Sequence, residues 1–309
     1  LRFGIMRSTP RGQDTLFDEQ HVELGRNFCN KLWNACRFRQ MQGGATEGEL
    51  DEALLTTDDK WVLLRLKKAI EEIDEAIKEH KLNEAANVLY RFFWSEYCDW
   101  YVEASKATLQ GRDERLKNNT LSVQDFVLGN TLRLLHPFLP FITEELWQGM
   151  GFATELPDGQ GGMTILNARW PKVLDQDFCD CYGLDEVYLE FVESKYALVK
   201  EGRNLRAEAS IASNKKVRVV MKPSREILPH DADVLRILLN ADPLDIDSEY
   251  EVPQGTPNVH SDLGDLYLPL EGLVDFEVEV VRLTKEVEKI EKEIEKAKNA
   301  NASDAVIKT

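Results

Sequence analysis

Cysteine is scarce in this 309-residue chain and has no pairing pattern. The five thiols, Cys29, Cys36, Cys98, Cys179 and Cys181, form no CxxC, and an odd count in a long chain argues for reduced thiols over a disulfide framework. Cys179 and Cys181 are spaced CxC with no histidine nearby, so no metal ligand set is predicted. No apolar run nears the roughly 18 residues that would span a bilayer, and the opening Leu-Arg-Phe-Gly-Ile-Met-Arg lacks the layout of a secretory signal. A cytoplasmic protein with no membrane partner is expected. Catalytic signatures are also missing. His21, His80, His136, His230 and His260 are scattered, and there is no GxSxG, no phosphate-binding glycine loop and no metal cluster. The chain alone is therefore expected to be inactive and to carry no cofactor. Its first residue is Leu1, not Met, and the opening reads as the interior of a longer protein.

What is present is the composition of a folded protein, 43% hydrophobic and 30% charged, with a formal net charge of −17. So acidic a balance opposes nucleic acid, whose binding rests on Lys and Arg contacts to phosphate. The charge is unevenly spread, however. Residues 1–44 hold seven Lys/Arg against four Asp/Glu, net +3, and residues 200–222 hold seven against two, net +5. Residues 223–280 hold two against fourteen, net −12, so much of the acidity lies in one block and two basic islands remain.

Periodicity predicts helices first. Val22, Leu24, Phe28, Leu32, Trp33 and Phe38 mark one from about Asp18 to Gln42, ended by Gly43-Gly44. Leu63, Leu66, Ile70, Ile73 and Ile77 mark a second, with Asp58 as its cap. A third, about Leu82 to Gln110, is dense in aromatics that must be buried on several sides, and Arg91 and Glu96 on it are a candidate ion pair. A fourth, about Leu121 to Leu135, stops at Pro137, and Pro140 suits the first turn of a fifth, Phe141 to Met150. Residues 1–150 are read as a helix bundle. Residues 151–175 are read as a linker excursion that Trp170-Pro171 pins back on the bundle. In 176–271, helices near Tyr182–Arg206 and Ala232–Leu239 alternate with strands near Lys216–Met221, Leu244–Ile246 and Asp265–Leu268, which reads as a small α/β domain. Over 272–309, a three-four alternation from Leu273 to Ala297 predicts a coiled-coil helix able to self-associate. The fold class is thus multidomain and mainly α.

One stretch has the chemistry of RNA recognition. On a helix, Asn27, Lys31, Asn34 and either Arg37 or Phe38 recur at intervals of three and four, putting amide, ammonium, guanidinium and aromatic groups on one face. Such a face can stack unpaired bases and bond their edges, which suits single-stranded RNA, and no DNA partner is expected. The same spacing also suits amides that cross-link helices and a Phe38 that fills core. A second candidate set, Arg203, Arg206, Lys215, Lys216 and Arg218, could touch a nucleic-acid backbone without reading sequence.

Three strings in order carry a family resemblance. Residues 25–38 (GRNFCNKLWNACRF), residues 83–101 (Asn83-Glu84-Ala85-Ala86 leading to YRFFWSEYCDWY) and residues 134–147 (LLHPFLPFITEELW) resemble the anticodon-binding bundle of valyl-tRNA synthetases. Gln13-Asp14 and Phe17-Asp18 are similar to the segment after that family's second catalytic signature. Residues 203–208 (RNLRAE) and 270–275 (LEGLVD) resemble its linker domain and the start of its coiled-coil arm. The resemblance implies that this part holds the tRNA for valine while an upstream domain activates the amino acid with ATP and Mg²⁺. It places anticodon reading on Asn27, Lys31, Asn34, Arg37 and Phe38, with Phe38 stacking a base. The rival readings are the equivalent part of an isoleucyl or leucyl enzyme, and an interaction scaffold built on the coiled coil.

Overall fold

A computed structural model describes residues 1–9, 12, 18–43, 50–155 and 163–270, together with positions 290 and 294. The coiled-coil expectation, the self-association assigned to 273–297, the resemblance at Gln13-Asp14 and Phe17, and the centre of the predicted linker lie outside those residues.

The bundle is built from α1 (Arg2–Ser8), α2 (Glu19–Met41), α3 (Thr57–Lys78), α4 (Leu82–Tyr90), α5 (Val102–Leu109), α6 (Glu114–Leu135), α7 (Pro140–Gly149) and the short α8 (Phe152–Glu155). Several starts have a local cause. Asp18 caps α2 by accepting from the Gln20 N–H at 2.8 Å, Asp113 caps α6 through the N–H groups of Arg115 and Leu116, and Pro140 opens α7. At α3 the expected cap is corrected. Thr56, not Asp58, caps the helix, in a capping box with Asp59, and Asp58 is buried in a distant contact instead.

The predicted third helix is also not uniform. Between α4 and α5 the backbone is π-helical over Arg91–Tyr101. The wider turn comes where aromatic residues crowd, with Phe92, Phe93, Tyr97 and Tyr101 buried and rings stacked from Phe93 to Tyr97 at 5.6 Å. Arg91 reaches Glu96 at 3.5 Å, but its nearer partner is Glu72 at 2.5 Å.

Residues 176–270 add α9 (Gln176–Cys181), α10 (Val187–Glu208), β1 (Val217–Pro223), α11 (Pro229–Leu238), β2 (Ala241–Ile246), β3 (Asn258–Ser261) and β4 (Gly264–Tyr267). The strands form one mixed sheet in the order β2-β1-β4-β3, with β1 parallel to β2, and β4 antiparallel to both β1 and β3. Central β1 buries Val217, Val219, Val220 and Met221, consistent with a strand covered on both faces. Helix α10 comes close to the sheet side because position 202 is glycine: a Cβ there would meet Leu239 Cδ2 at 2.6 Å and Leu266 Cδ1 at 3.1 Å.

The buried apolar residues of the bundle and of the α/β segment form one continuous cluster, from Phe3 to Leu268. Helix α10 packs on α3, and α11 packs on α5. A buried charge cluster marks the seam. Lys195 on α10, with no exposed surface, donates to Asp58 of α3 at 2.7 Å and to Asp231 of α11 at 2.8 Å. Tyr196 donates to Asp58 at 2.6 Å, and Thr57 to Asp231 at 2.6 Å. Charges this far from water are tolerable only when paired and bonded in fixed directions, so the cluster sets the orientation of three helices. Trp170 meets its expectation: its indole N–H bonds Asp74 of α3 at 2.8 Å, tying the 163–175 segment to the bundle.

Candidate nucleic-acid interface

One face of α2 is core and fixes what the other face offers. Gly25 lies against Gly4 of α1, where a Cβ on residue 25 would stand 3.3 Å from the Gly4 nitrogen. Phe28 stacks on Phe3 at 4.5 Å and on Tyr90 at 5.6 Å, and Leu32, Ala35 and Cys36 continue the buried stripe. The stripe ends in a charge: Arg39 is buried and pairs with Asp125 of α6 at 2.6 Å. Burial pushes the Cys36 thiol up to about 12, so it behaves as an apolar packing group.

With about 100° per residue, that stripe leaves an outer arc made of Arg26, Asn27, Asn30, Trp33, Asn34, Arg37 and Gln40, all exposed. Of the five candidates on α2, Asn27, Asn34 and Arg37 stand on this arc. Lys31 and Phe38 stand at its edge, both half-buried. Phe38 packs against the core, and Lys31 donates to Asp99 at 2.8 Å and lies 5.1 Å from the Trp94 ring centre. Burial works to lower the Lys31 ammonium, but the bond and charge of Asp99 outweigh it, and its pKa stands above the ordinary lysine value. The sequence reading counted Trp33 among the apolar positions of this helix and gave it no part in binding, but its indole is 44% exposed in the middle of the arc. A signal for it existed: Trp33 follows Leu32, and adjacent residues on a helix point about 100° apart.

The second candidate set separates in the same way. Arg203 stays exposed but is anchored, both its Nε and its terminal nitrogen donating to the Leu238 carbonyl at 3.1 and 2.9 Å. Arg206 is buried and holds the carbonyls of Leu239, Asn240, Ala212 and Lys215. Lys215, Lys216 and Arg218 are exposed, but Lys216 meets Asp242 at 3.2 Å and Arg218 meets Asp245 at 2.7 Å. Among the described residues no group of three or more His, Cys, Asp and Glu side chains is placed to hold a metal ion, and no helix is long and apolar enough to cross a membrane.

A helical bundle that ends in a small mixed sheet and turns a polar, aromatic helix face outward has the build of an anticodon-binding module. The family model described as the anticodon-binding domain of tRNA ligase matches residues 59–221, more than half of the chain. The chain belongs to that family. Its curated relatives narrow the likeness further: it is 36% identical over 302 residues to a valine–tRNA ligase of Oceanobacillus iheyensis, covering 96% of this chain and 33% of that protein. Over 314 residues it is 34% identical to the valine–tRNA ligase of Bacillus subtilis, covering 100% of this chain and 34% of that protein. It is 36% identical over 295 residues to that of Geobacillus stearothermophilus, covering 94% and 32%. The chain thus spans about a third of the length of these relatives. A solved LeuRS chain from a complex with tRNA and LeuAMS, of Agrobacterium radiobacter K84, shares 14% identity at a TM-score of 0.40, over 56% of this chain and 19% of that one, too weak to carry an argument.

Proposed function

We infer that this chain grips the anticodon loop of a valine-accepting tRNA, and that it serves in this way within a valine–tRNA ligase that joins valine to its tRNA with ATP. The observation that carries the reading is the outer arc of α2. Side-chain amides at Asn27, Asn30 and Asn34, the Arg37 guanidinium and the Trp33 indole share one exposed surface on a rigid helix. Amides bond base edges, guanidinium takes phosphate or guanine, and an indole stacks on an unpaired base. The names of the curated relatives support valine as the amino acid. Phe38 and Lys31 flank the arc, where the aromatic edge and the ammonium can close on the loop from one side. Lys215, Lys216 and Arg218 supply weaker contacts to the tRNA backbone, because two of the three already share their charge with an acid.

In this reading valine activation, with its ATP and Mg²⁺, belongs to a part of the ligase that this chain does not cover, since the chain spans about a third of its valine–tRNA ligase relatives. The test is footprinting on a valine tRNA transcript, combined with Arg37→Ala, Trp33→Ala and Phe38→Ala. Each substitution is expected to weaken binding by about 1 to 3 kcal/mol, the range for a lost base contact. An anticodon loop left unprotected by the folded chain overturns the reading.

A further inference from the structure

A second concave site shares no lining residue with α2 or with the residue 200–222 island. A pocket of about 310 Å³ opens between α6, the segment 169–175 and α9. Arg133, Arg169 and Lys172 line it together with Phe126, Trp170 and Phe178. In a chain of net charge −17, three cations gathered in one pocket oppose the overall field of the protein.

The walls are held in place. Arg133 is buried, and its guanidinium donates to the carbonyls of Gly129 and Arg169, each at 3.1 Å, and to Asn130 Oδ1 at 2.9 Å. These bonds orient the group. Burial pushes it down to about 10, still well above neutrality, so the guanidinium stays protonated. Arg169 and Lys172 stand exposed above it. Phe126 and Phe178 stack at 5.6 Å with their planes 19° apart, and the bond from Trp170 to Asp74 holds the indole. Asp175 also lines the pocket, but its carboxylate caps α9 by accepting from the Phe178 N–H at 2.9 Å.

Cations that converge beside flat aromatic walls match one ligand chemistry, an anionic group attached to a ring. We propose that this pocket takes a single nucleotide unit, its phosphate on Arg169 and Lys172 and its base against Trp170 or the Phe126–Phe178 pair. Charge-assisted bonds to phosphate and sequence-tolerant stacking suit that division. The volume is at the low end for small-ligand sites, enough for one nucleotide. An acidic peptide would satisfy the cations and leave the aromatic walls without a ring. The unit can come from a free mononucleotide or from a bound tRNA, and the two sources separate by experiment.

The experiment titrates the 309-residue chain with AMP and with inorganic phosphate, followed by tryptophan fluorescence and calorimetry, and measures tRNA affinity in parallel. Saturable AMP binding is expected, tighter than that of phosphate. Arg169→Glu, Lys172→Glu and Trp170→Leu should each weaken it at least tenfold, with thermal melting used to confirm the fold. Lys172→Met gives a milder version if a charge reversal disturbs packing. A parallel tenfold loss of tRNA affinity, with AMP competing, identifies the unit as part of tRNA; unchanged tRNA affinity with AMP binding intact in the parent chain identifies a free nucleotide. The proposal is overturned if AMP does not saturate and tRNA affinity is untouched by the variants, or if the variants bind AMP as the parent does. It is overturned equally if phosphate binds as tightly as AMP and Trp170→Leu has no effect. Arg37→Ala should change tRNA affinity without changing AMP affinity, so failure here is distinct from failure of the α2 assignment.

Discussion

The two basic islands differ more in space than in charge. Around α2, the cations and amides sit on a helix with one core side, and Asn27, Asn34 and Arg37 face outward. Across residues 200–222, Arg206 is buried and Arg203, though exposed, is tied down, and the two close the end of α11 by binding the carbonyls at Leu238, Leu239 and Asn240. The carbonyls at a helix C-terminus have no partners within the helix, and a guanidinium with several donors can satisfy more than one of them. A net charge counted along the chain therefore measures supply, and the direction of each side chain decides use.

That contrast can be broken in three places. The largest effect is expected from Arg206→Ala, which removes a buried guanidinium from four carbonyls. Urea or thermal unfolding should show a loss of about 2 to 3 kcal/mol, while tRNA affinity of the folded fraction stays unchanged. A stable variant with weakened tRNA binding would move Arg206 to the interface and erase the difference between the islands.

An intermediate effect belongs to Lys31. Its folded pKa is raised above the ordinary 10.5 by the Asp99 pair, so the stabilisation is fully present below that value and is lost as pH rises through the folded pKa. The pair is partly exposed, and its worth is about 0.2 to 1 kcal/mol. Lys31→Met should therefore cost that much near neutrality and remove this component of the alkaline loss in a stability-against-pH series. An unchanged alkaline limb would detach Lys31 from Asp99.

The smallest effect is expected from Arg218→Ala. Because the side chain already pairs with Asp245, the slope of log affinity against log salt should fall by less than the roughly 1 expected for a full phosphate contact. A full unit of slope would make this exposed edge an equal partner to α2.

Several features were readable from the sequence for local reasons. The stripes of α3 and α6 and the proline start of α7 follow from helical period and backbone chemistry, so their existence was predictable, but α6 begins at Glu114, well before the expected Leu121. Strand β3, with only Asn258–Ser261, is too short for alternation to stand out, and the π-helical turn at Arg91–Tyr101 arises from packing that no local spacing encodes. Asp58 looked like a cap because its neighbours allow one. Its partner, Lys195, lies 137 residues away. On α2, the face was legible as polar and aromatic, but which aromatic points outward depended on locating the buried stripe through Phe3, Tyr90 and Asp125.

By itself, the sequence determined the helical class, the order of the main bundle helices and the family resemblance that the matching family model then established, because each rests on residue type and near-neighbour spacing. Only the tertiary structure decided which charged groups are spent inside the protein and which remain for a ligand. That choice depends on desolvation and on partners brought together from distant segments: Lys195 with Asp58 and Asp231, Arg206 with the end of α11, and Arg133 beneath Arg169 and Lys172.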